Sequence, residues 1–360
     1  MKRIIISVTS DISTDRRVLK TAQSCYQAGY DVLVIGKKLK KNNLPLRLPY
    51  KNKRLRLLFK RTVLFYAEYN IRLFFILLLS KADIFLSNDT DSLPANYLAS
   101  KIRCKKLVFD AHELFPELPE LAHRPNVRGV WQKIEDRIFP KLKYCYTVCH
   151  SIADYYNQKY NIQMEVVRNV PYASDTTTEK LLCYPEKKII LYQGAVNLGR
   201  GLEWVIDAMP LVENAVLVII GDGEMLNELK RRVNQLQLCE KVLFLGCISG
   251  SELHRYTPSA DLGLCLLENR GLNYYYSLPN RIFDYLHAGV PVLATDFPEI
   301  SNIVKKYNTG ILVNQYNPEY LANVINNFFT NDFDTSGFAE IAKNYCWEEE
   351  EKILLKIISS

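Results

Sequence analysis

The chain has 360 residues, of which 48% are hydrophobic and 24% are charged, and its formal net charge is +7. This composition excludes a disordered or fibrous protein, and the length favours two globular domains. The nine irregularly spaced cysteines and an N-terminal apolar run too short for a signal peptide exclude a secreted disulfide scaffold, and predict a cytoplasmic protein with reduced thiols.

The first half of the chain alternates short apolar runs with helical patterns. Strands are predicted over residues 4–8, 31–35, 83–86, 106–109 and 144–148, and a helix is predicted over residues 16–28. The third and fourth of these strands each end in a polar cluster. This order is typical of a parallel sheet that is covered by helices and binds ligands at the carboxyl ends of its strands.

A basic segment follows the second predicted strand. No acidic residue lies between Asp31 and Glu68, and apolar residues are interleaved with the cations Lys37, Lys38, Lys40, Lys41, Arg47, Lys51, Lys53, Arg54, Arg56, Lys60 and Arg61. Such a segment suits the anionic surface of a membrane, although a solvated loop followed by a core helix also explains it. Nucleic acid is the third interpretation and is not the expected partner. The apolar run over residues 71–79 is too short to span a bilayer, so no transmembrane helix is predicted.

The same alternation starts again after a polar linker over residues 173–180. Strands are predicted over residues 188–192, 215–220, 242–245, 262–266 and 291–294, and helices over residues 202–209, 224–236 and 281–288. We therefore predict an α/β fold of two Rossmann-like domains, residues 1–170 and 171–345, whose parallel sheets face a central cleft. A last helix within residues 346–360 is expected to pack back on the first domain.

The clearest functional pattern is the donor segment Ser277-Leu278-Pro279-Asn280-Arg281-Ile282-Phe283-Asp284, which opens the helix predicted from residue 281. Free backbone N–H groups from Leu278 to Arg281, together with the Arg281 guanidinium, favour a diphosphate. Asp284 lies one turn further and is placed to accept hydrogen bonds from ribose hydroxyls. The alternative is an ordinary capped helix with a surface Arg–Asp pair.

Two glycine-containing turns follow strands in the same half. The loop Gln193-Gly194-Ala195-Val196-Asn197-Leu198-Gly199-Arg200-Gly201 allows the backbone to approach a ligand and brings Arg200 to a helix start, which indicates a second phosphate contact. The turn Gly221-Asp222-Gly223 is compatible with a phosphate or a base, although a plain tight turn is the simpler interpretation.

Taken in order, these patterns and the Phe244-Leu245-Gly246 strand end resemble the donor domain of family-4 glycosyltransferases. In the first half, residues 11–18, 88–94 and 110–115 are similar to a bacterial subgroup that builds surface polysaccharides. The resemblance implies a GT-B fold and retention of anomeric configuration. It also implies a nucleoside-diphosphate-sugar donor in the second domain, a glycan or lipid-linked acceptor in the first, and no cofactor or essential metal.

The resemblance further implies roles for individual donor residues. Arg200 and Arg281 share the diphosphate, because Ala195 stands where the family often has a basic residue. Tyr276 stands where the family usually has the acid that contacts the sugar, so Glu268 in a nearby loop is a candidate substitute. The predicted donor-binding set is Gly194, Gly201, Asp222, Gly223, Glu268, Leu278, Asn280 and Asp284.

In the first domain, His112 is the candidate that approaches the donor sugar, where a neutral imidazole orients a hydroxyl or stabilises developing charge. Its alternative is a hydrogen-bonded loop residue. The candidate acceptor contacts are Asp15, Arg17, Asp89 and Glu113. Capping of the first helix is the alternative for Asp15, and a helix-start acid is the alternative for Glu113.

The triplet Asp89-Thr90-Asp91 has the Asp-x-Asp pattern of the metal site in another glycosyltransferase fold. That fold has one nucleotide domain and this chain shows two, so no metal site is predicted. A turn in which Asp91 or Ser92 caps the next helix is the preferred explanation.

The predicted reaction is front-face attack by an acceptor hydroxyl, with Arg200 and Arg281 stabilising the departing diphosphate and His112 orienting the sugar. Two other functions are compatible with the sequence. One is a nucleotide-sugar 2-epimerase on the same fold, and the other is a non-enzymatic sugar- or lipid-binding protein, which Tyr276 and Ala195 favour.

Overall fold

The computed structural model describes residues 1–39, 47–60, 62–173 and 179–360. The described chain forms two compact units, one of Met1–Asn169 with Glu350–Ser360 and one of Val170–Glu349. Lys40, Lys41 and Arg61 of the basic segment lie outside the described residues, as do residues 174–178 of the predicted linker.

The first unit is a seven-stranded parallel sheet with helices between its strands. Its strands are β1 (Arg3–Asp11), β2 (Asp31–Lys37), β3 (Lys51–Leu55), β4 (Ile84–Asn88), β5 (Lys106–Ala111), β6 (Tyr144–Thr147) and β7 (Glu165–Val166). Its helices are α1 (Arg16–Gln27), α2 (Thr62–Leu79), α3 (Asp89–Arg103), α4 (Pro119–Ala122), α5 (Pro125–Ile138) and α6 (His150–Tyr160). The strand order across the sheet is β3-β2-β1-β4-β5-β6-β7.

The second unit repeats this design with six parallel strands in the order β10-β9-β8-β11-β12-β13. They are β8 (Lys188–Gln193), β9 (Ala215–Ile220), β10 (Val242–Gly246), β11 (Leu262–Cys265), β12 (Val292–Thr295) and β13 (Gly310–Val313). The helices are α7 (Leu202–Ala208), α8 (Leu226–Gln235), α9 (Gly250–Leu253), α10 (Leu272–Tyr275), α11 (Arg281–His287), α12 (Pro298–Tyr307), α13 (Pro318–Thr330), α14 (Phe338–Lys343) and α15 (Trp347–Ser359).

The central strands form from almost continuous apolar runs, as expected for sheets that are covered on both faces. Ile4, Ile5 and Ile6 in β1 are fully buried, and β9 is buried along its whole length. The predicted fold class of two parallel α/β sheets is confirmed. Each sheet has one topological switch point, where successive strands begin to be added on the other side of the first strand. It lies between β1 and β4 in the first sheet and between β8 and β11 in the second.

The basic segment contains a strand that its composition does not indicate. β3 pairs in parallel with β2 at the edge of the first sheet. Its Arg54 side chain is 8% exposed and lies 2.8 Å from the fully buried Asp11 carboxylate. Burial opposes the charge on Asp11, but hydrogen bonds from the Leu39 amide and Arg54 lower the pKa of Asp11 to about 2. Arg54 therefore stabilises the sheet edge and is not part of an exposed basic surface.

Helix α2 is twice as long as the apolar run over residues 71–79 suggests. Among the described residues it is the one helix that is long and apolar enough to cross a bilayer by length and composition. A stripe of its side chains is nevertheless built into the core of the first unit, where Tyr69, Leu73 and Leu77 are fully buried.

The last helix, α15, begins in the second unit and ends in the first. Glu350, which is 2% exposed, accepts hydrogen bonds from the Arg168 amide at 2.8 Å and from its guanidinium at 3.0 Å. At the other end, Lys106 Nζ donates to the carbonyls of Ile357 and Ile358. These contacts hold residues 350–360 on the first sheet.

Candidate active site

In the second unit, the loops that follow β8 and β11 carry several of the predicted donor residues. The chain order of the strands reverses between these two neighbours. Open α/β sheets bind their ligands outside the carboxyl ends of the strands at such a point. The loop from Gly194 to Gly201 follows β8, and Glu268 follows β11.

The two glycine-containing turns lie against each other, backbone to backbone. The Gly194 amide donates to the Ile220 carbonyl at 2.9 Å, and the Val196 amide donates to the Asp222 carbonyl at 3.0 Å. A Cβ on Gly221, whose φ is +153°, would lie 1.8 Å from the Gly194 carbonyl oxygen. A side chain is therefore excluded at Gly221 by packing alone.

Close packing also explains Gly223 and Gly201, and a turn hydrogen bond explains Asp222. A Cβ on Gly223 would meet the Val196 carbonyl at 2.3 Å, and one on Gly201 would meet Leu266 Cβ at 2.6 Å. Asp222 is exposed, and its Oδ1 accepts from the Gly223 amide at 2.8 Å. A tight turn explains these positions without a ligand, so donor binding by Asp222, Gly223 and Gly201 stays a prediction.

Arg281 is a buried cation without a carboxylate partner in the part of the chain that the structure describes. The residue is 8% exposed, and its Nη1 has no hydrogen-bond partner. Its guanidinium carbon lies 4.4 Å from the centre of the Tyr192 ring. Gly194, with φ +132°, leaves open the space beside Arg281, since a Cβ there would lie 3.6 Å from Nη2. A guanidinium is always charged, and a buried charge without a counter-ion is unfavourable until an anion binds.

A second guanidinium, that of Arg200, lies near the same strand end. It stacks over the Tyr274 ring at 5.0 Å, and its buried Nε has no hydrogen-bond partner. Burial raises the pKa of Cys265 at the end of β11 to about 11, while the positive charges of Arg281 and Arg200 act in the opposite direction.

Asp284 is held by a chain of polar side chains rather than by Arg281. Gln193 Nε2 donates to Asp284 Oδ2 at 3.0 Å. Thr257 Oγ1 in turn donates to Gln193 Oε1 at 2.9 Å. The alternative of a surface Arg–Asp pair is wrong, because Arg281 is buried. Gln193 is not among the predicted site residues, although a glutamine at the end of a buried apolar strand can indicate a functional position.

The other predicted donor residues, Leu278, Asn280 and Glu268, differ in burial and in their contacts. Leu278 is 8% exposed, whereas Asn280 is exposed and makes no capping bond with its side chain. Because α11 has only seven residues, its dipole adds little to the charge of Arg281. Glu268 pairs with Arg270 at 2.8 Å, and its amide donates to the Gly199 carbonyl at 3.0 Å. Its role as a sugar contact stays a prediction, as do those of Leu278 and Asn280.

In the first unit, His112 lies between two carboxylates. Its Nδ1 is 3.1 Å from Asp89 Oδ2, and its Nε2 is 3.1 Å from Asp110 Oδ2. Burial disfavours the charged ring, but the charges of Asp89 and Asp110 raise the pKa of His112 well above its ordinary value. Since both ring nitrogens face carboxylate oxygens, the structure favours an imidazolium over the neutral imidazole of the sequence interpretation.

Arg17 does not face an acceptor, which corrects its assignment as an acceptor contact. Its side chain is 4% exposed, and it donates to both carboxylate oxygens of Asp110, at 2.9 and 2.7 Å. Its Nη1 donates to the Val167 carbonyl at 2.9 Å. Burial opposes the charge on Asp110, but Arg17 and His112 lower its pKa to about 2. Arg17 is thus a structural residue that keeps Asp110 ionised beneath His112.

Asp15 also has a structural role. It caps α1 by accepting the Val18 amide at 3.1 Å, and its other oxygen accepts from the Ser10 hydroxyl at 2.7 Å. The capping alternative is therefore confirmed for Asp15, and both its carboxylate oxygens are engaged. Glu113 is half-buried immediately after His112, and its acceptor role stays a prediction.

Asp89 is the first residue of α3 and has a left-handed φ of +59°. Besides the His112 ring, it accepts the His112 amide at 2.8 Å. A non-glycine residue held in this conformation is characteristic of functional sites, which supports Asp89 as a candidate. Capping of α3 by Asp91 or Ser92 is wrong, because the helix already begins at Asp89. Among the described residues, no group of three or more His, Cys, Asp or Glu side chains is placed to hold a metal ion.

The buried carboxyl of Asp91 should make the stability of the protein fall as pH rises. Oδ2 accepts from Thr9 at 2.5 Å and Oδ1 has no hydrogen-bond partner. Burial and the Asp89 charge raise the pKa of Asp91 to about 8. The unfolded pKa is about 3.9, so this contribution to stability is present below about pH 4 and is lost as pH rises through about 8. Asp91→Asn should flatten the dependence of the urea midpoint on pH between 5 and 8.

The control for this prediction is Asp154→Asn on α6, which replaces an exposed aspartate in the same unit. It should keep the wild-type dependence on pH. An Asp91→Asn protein with an unchanged slope would show that Asp91 is ionised in the fold across this range.

Two family models match the chain. The model described as "Glycosyltransferase Family 4" matches residues 14–177, and the model described as "Glycosyl transferases group 1" matches residues 174–345. Each match falls mainly within one α/β unit, and the two matches overlap only at residues 174–177. The chain belongs to the GT-B glycosyltransferases of family 4.

Curated relatives of this family-4 chain match parts of it. An uncharacterized glycosyltransferase of Methanocaldococcus jannaschii is 31% identical over 140 residues, 38% of this chain and 34% of that protein. A chitobiosyldiphosphodolichol beta-mannosyltransferase of Candida albicans is 27% identical over 175 residues, 45% of this chain and 38% of that protein. An alpha-monoglucosyldiacylglycerol synthase of Streptococcus pneumoniae is 28% identical over 132 residues, 35% of this chain and 28% of that protein. The chain thus spans about a third of the length of these relatives.

Solved structures share the fold over nearly the whole family-4 chain. Sucrose-phosphate synthase of Thermosynechococcus elongatus has a TM-score of 0.79 at 14% identity, covering 100% of this chain and 98% of that one. HepE of Anabaena in complex with UDP-glucose has a TM-score of 0.75 at 16% identity, covering 100% of both chains. A putative UDP-N-acetylglucosamine 2-epimerase of Listeria monocytogenes has a TM-score of 0.66 at 14% identity, covering 100% and 96%. At these identities the likeness shows the fold alone.

Proposed function

We propose that the protein transfers a sugar from a nucleoside-diphosphate-sugar to a hydroxyl group of a glycan or lipid-linked acceptor. The observation that carries this proposal is Arg281, a buried guanidinium without a carboxylate partner among the described residues, at the carboxyl end of the second sheet. A diphosphate is the anion that the strand-end position and membership of this family predict for it.

In this proposal Arg281 and Arg200 bind the diphosphate and Asp284 binds the ribose. The bond between the sugar C1 and the diphosphate oxygen breaks, so negative charge grows on the diphosphate. Cations that are already in place and largely shielded from water stabilise that charge without reorganisation. Gln193 fixes the direction of the Asp284 carboxylate through its 3.0 Å hydrogen bond.

The acceptor hydroxyl attacks on the face from which the diphosphate leaves, and its proton passes to the departing phosphate oxygen. This course retains the anomeric configuration. It requires that the diphosphate stays beside C1 as the bond breaks, which Arg281 and Arg200 support by holding it. Asp89 and Asp110 face both ring nitrogens of His112 and keep it protonated, so the ring has no N–H left for a sugar hydroxyl and is assigned no step in this reaction.

The proposed setting is the cytoplasmic side of a bacterial membrane, in the synthesis of surface polysaccharide. The names of two relatives, a diphosphodolichol mannosyltransferase and a diacylglycerol glycoside synthase, support a lipid-linked acceptor. Exposed thiols at Cys104, Cys183, Cys239 and Cys247 fit a reducing compartment.

A transfer assay followed by NMR tests the reaction class. UDP- and GDP-sugars are incubated with the protein, with and without a glycan acceptor. The expected result is release of nucleoside diphosphate that depends on acceptor, with the product anomeric coupling the same as in the donor. No metal ion is added, and chelation should not change the rate.

The second candidate, a 2-epimerase, is favoured by the fold shared with the Listeria protein. It would convert the donor to its 2-epimer in the absence of any acceptor, which the same spectra detect. Failure of every nucleoside diphosphate to bind would instead support the non-enzymatic binding protein.

A further inference from the structure

A continuous apolar surface is exposed on α2 and on the turn before it. Single exposed apolar side chains are common on soluble proteins, but a contiguous set marks an interaction surface. We define the α2 surface by its exposed residues Leu58, Phe59, Val63, Leu64, Ile71 and Phe75, whose exposed fractions are 78%, 44%, 60%, 54%, 59% and 54%.

The opposite side of α2 is fixed in the core of the first unit. Phe65, Tyr69, Leu73 and Leu77 recur every four residues and are at most 6% exposed, so they form one stripe along the helix. The Tyr69 hydroxyl donates to the Val8 carbonyl at 2.7 Å. Moving α2 into a membrane-spanning position would expose this stripe and break that bond. The helix is therefore apolar on both sides, but its buried side is fixed in the protein. Only its exposed side is free to contact a membrane, so the helix is placed to lie on a bilayer and not to span it.

The turn before α2 presents its apolar side chains through a specific set of hydrogen bonds. The Glu68 carboxylate accepts from the Leu58 amide at 2.9 Å and from the Phe59 amide at 2.9 Å. Arg72 lies 2.6 Å from Glu68 and donates to the Arg56 carbonyl at 2.9 Å. The exposure of Leu58 and Phe59 is thus built into the fold. Glu68, which ends the acid-free stretch, is engaged within this turn.

The segment that leads into the α2 surface carries charges of one sign. Lys53, Arg56 and Lys60 are exposed in this segment, and no acidic residue occurs from 32 to 67. Arg54 is excluded from this set by its buried contact with Asp11. We propose that the α2 surface lies on an anionic lipid bilayer, with its apolar side chains at the level of the headgroups and acyl chains, and with the three cations on lipid phosphates.

Charge complementarity favours lipid over a protein partner. An apolar surface that follows a basic segment without acidic residues matches a membrane with acidic headgroups, which offers both an apolar layer and a dense negative charge. The inference does not depend on the chemistry of the donor site, because it rests on residues of the first unit alone.

Co-sedimentation with vesicles tests the inference. The wild type should bind vesicles that contain phosphatidylglycerol, bind pure phosphatidylcholine vesicles much more weakly, and dissociate as salt is raised. Ile71→Gln/Phe75→Gln should lower the partition coefficient at least about tenfold. Lys53→Gln/Arg56→Gln/Lys60→Gln should lower it about 100-fold on phosphatidylglycerol, at roughly fivefold for each charge.

The matched control is Leu211→Gln/Leu236→Gln, which replaces two apolar residues of the second unit that are 49% and 41% exposed. It should bind like the wild type. Each variant should fold, because the substituted side chains are all on the surface. Circular dichroism checks this. The inference is overturned if the wild type does not bind phosphatidylglycerol vesicles at low salt or if the Ile71→Gln/Phe75→Gln variant binds equally well. It is also overturned if the wild type is a dimer that this variant converts to a monomer without any lipid binding.

Discussion

Replacing Arg281 by methionine should reduce kcat/KM for the nucleotide-sugar by about 100- to 1,000-fold, the loss expected when one preorganised donor to a developing anion is removed. The same change should leave the ligand-free protein at least as stable as the wild type. The methionine keeps the packing on Tyr192, and the substitution removes a buried charge that has no carboxylate partner among the described residues.

The two effects are measured separately. Steady-state kinetics gives kcat/KM, and thermal unfolding gives stability with and without nucleoside diphosphate. The diphosphate should raise the midpoint of the wild type by mass action and should raise that of the variant much less, since only Arg200 remains to bind it. Arg255→Met is the control, since Arg255 is in the same unit and forms an exposed pair with Glu179. Full activity in Arg281→Met would show that the diphosphate does not bind at Arg281.

Replacing Arg17 by leucine should lower the free energy of unfolding by about 3–5 kcal/mol, the usual result of breaking one side of a buried ion pair. Asp110 has no exposed side-chain surface and would lose two hydrogen bonds from the guanidinium. The double variant Arg17→Leu/Asp110→Leu should recover part of this loss, because it removes both charges of the pair, although His112 Nε2 loses its Asp110 partner. Urea unfolding followed by circular dichroism measures all three proteins.

The dependence on pH provides a second test of Arg17. The pKa of Asp110 is about 2 in the fold and about 3.9 when unfolded. Its contribution to stability is therefore present above about pH 4 and is lost as pH falls through about 2. The difference between wild type and Arg17→Leu should shrink over that range. Arg255→Leu, which breaks an exposed ion pair, should leave the stability close to that of the wild type at any pH. An Arg17→Leu protein that is fully stable but has a raised KM for the acceptor would restore the acceptor assignment.

The fold was predictable because parallel strands are buried on both faces and so appear as uninterrupted apolar runs. Ala215 to Ile220 is such a run, and its predicted bounds match β9. β3 was not predictable in this way. Its sequence, Lys51-Asn52-Lys53-Arg54-Leu55, is that of a polar edge strand, and it forms because β2 offers an unpaired edge and because Asp11 provides a buried partner for Arg54.

The candidate site was predictable in its position but less so in its contacts. The loops of Gly194 and Arg281 follow from the rule that ligands bind at the carboxyl ends of strands. Burial is a tertiary property, so local sequence could not show which arginines have a carboxylate partner. Arg281 is buried without one among the described residues, whereas Arg17 is buried in an ion pair with Asp110. For the same reason, the hydrogen bond from Gln193 to Asp284 joins residues 91 positions apart and leaves no local pattern.

Helix α15 carries a consequence for the synthesis of the chain. Residues 350–360 belong to the first unit, where Glu350 and the carbonyls of Ile357 and Ile358 bind Arg168 and Lys106. A ribosome makes these residues only after the whole of the second unit, residues 170–349. The first unit therefore cannot gain this helix until the second unit has been synthesised, although domains usually fold in the order of their synthesis. A nascent chain stalled before residue 350 should therefore be cut by protease within its first 169 residues more readily than the released protein.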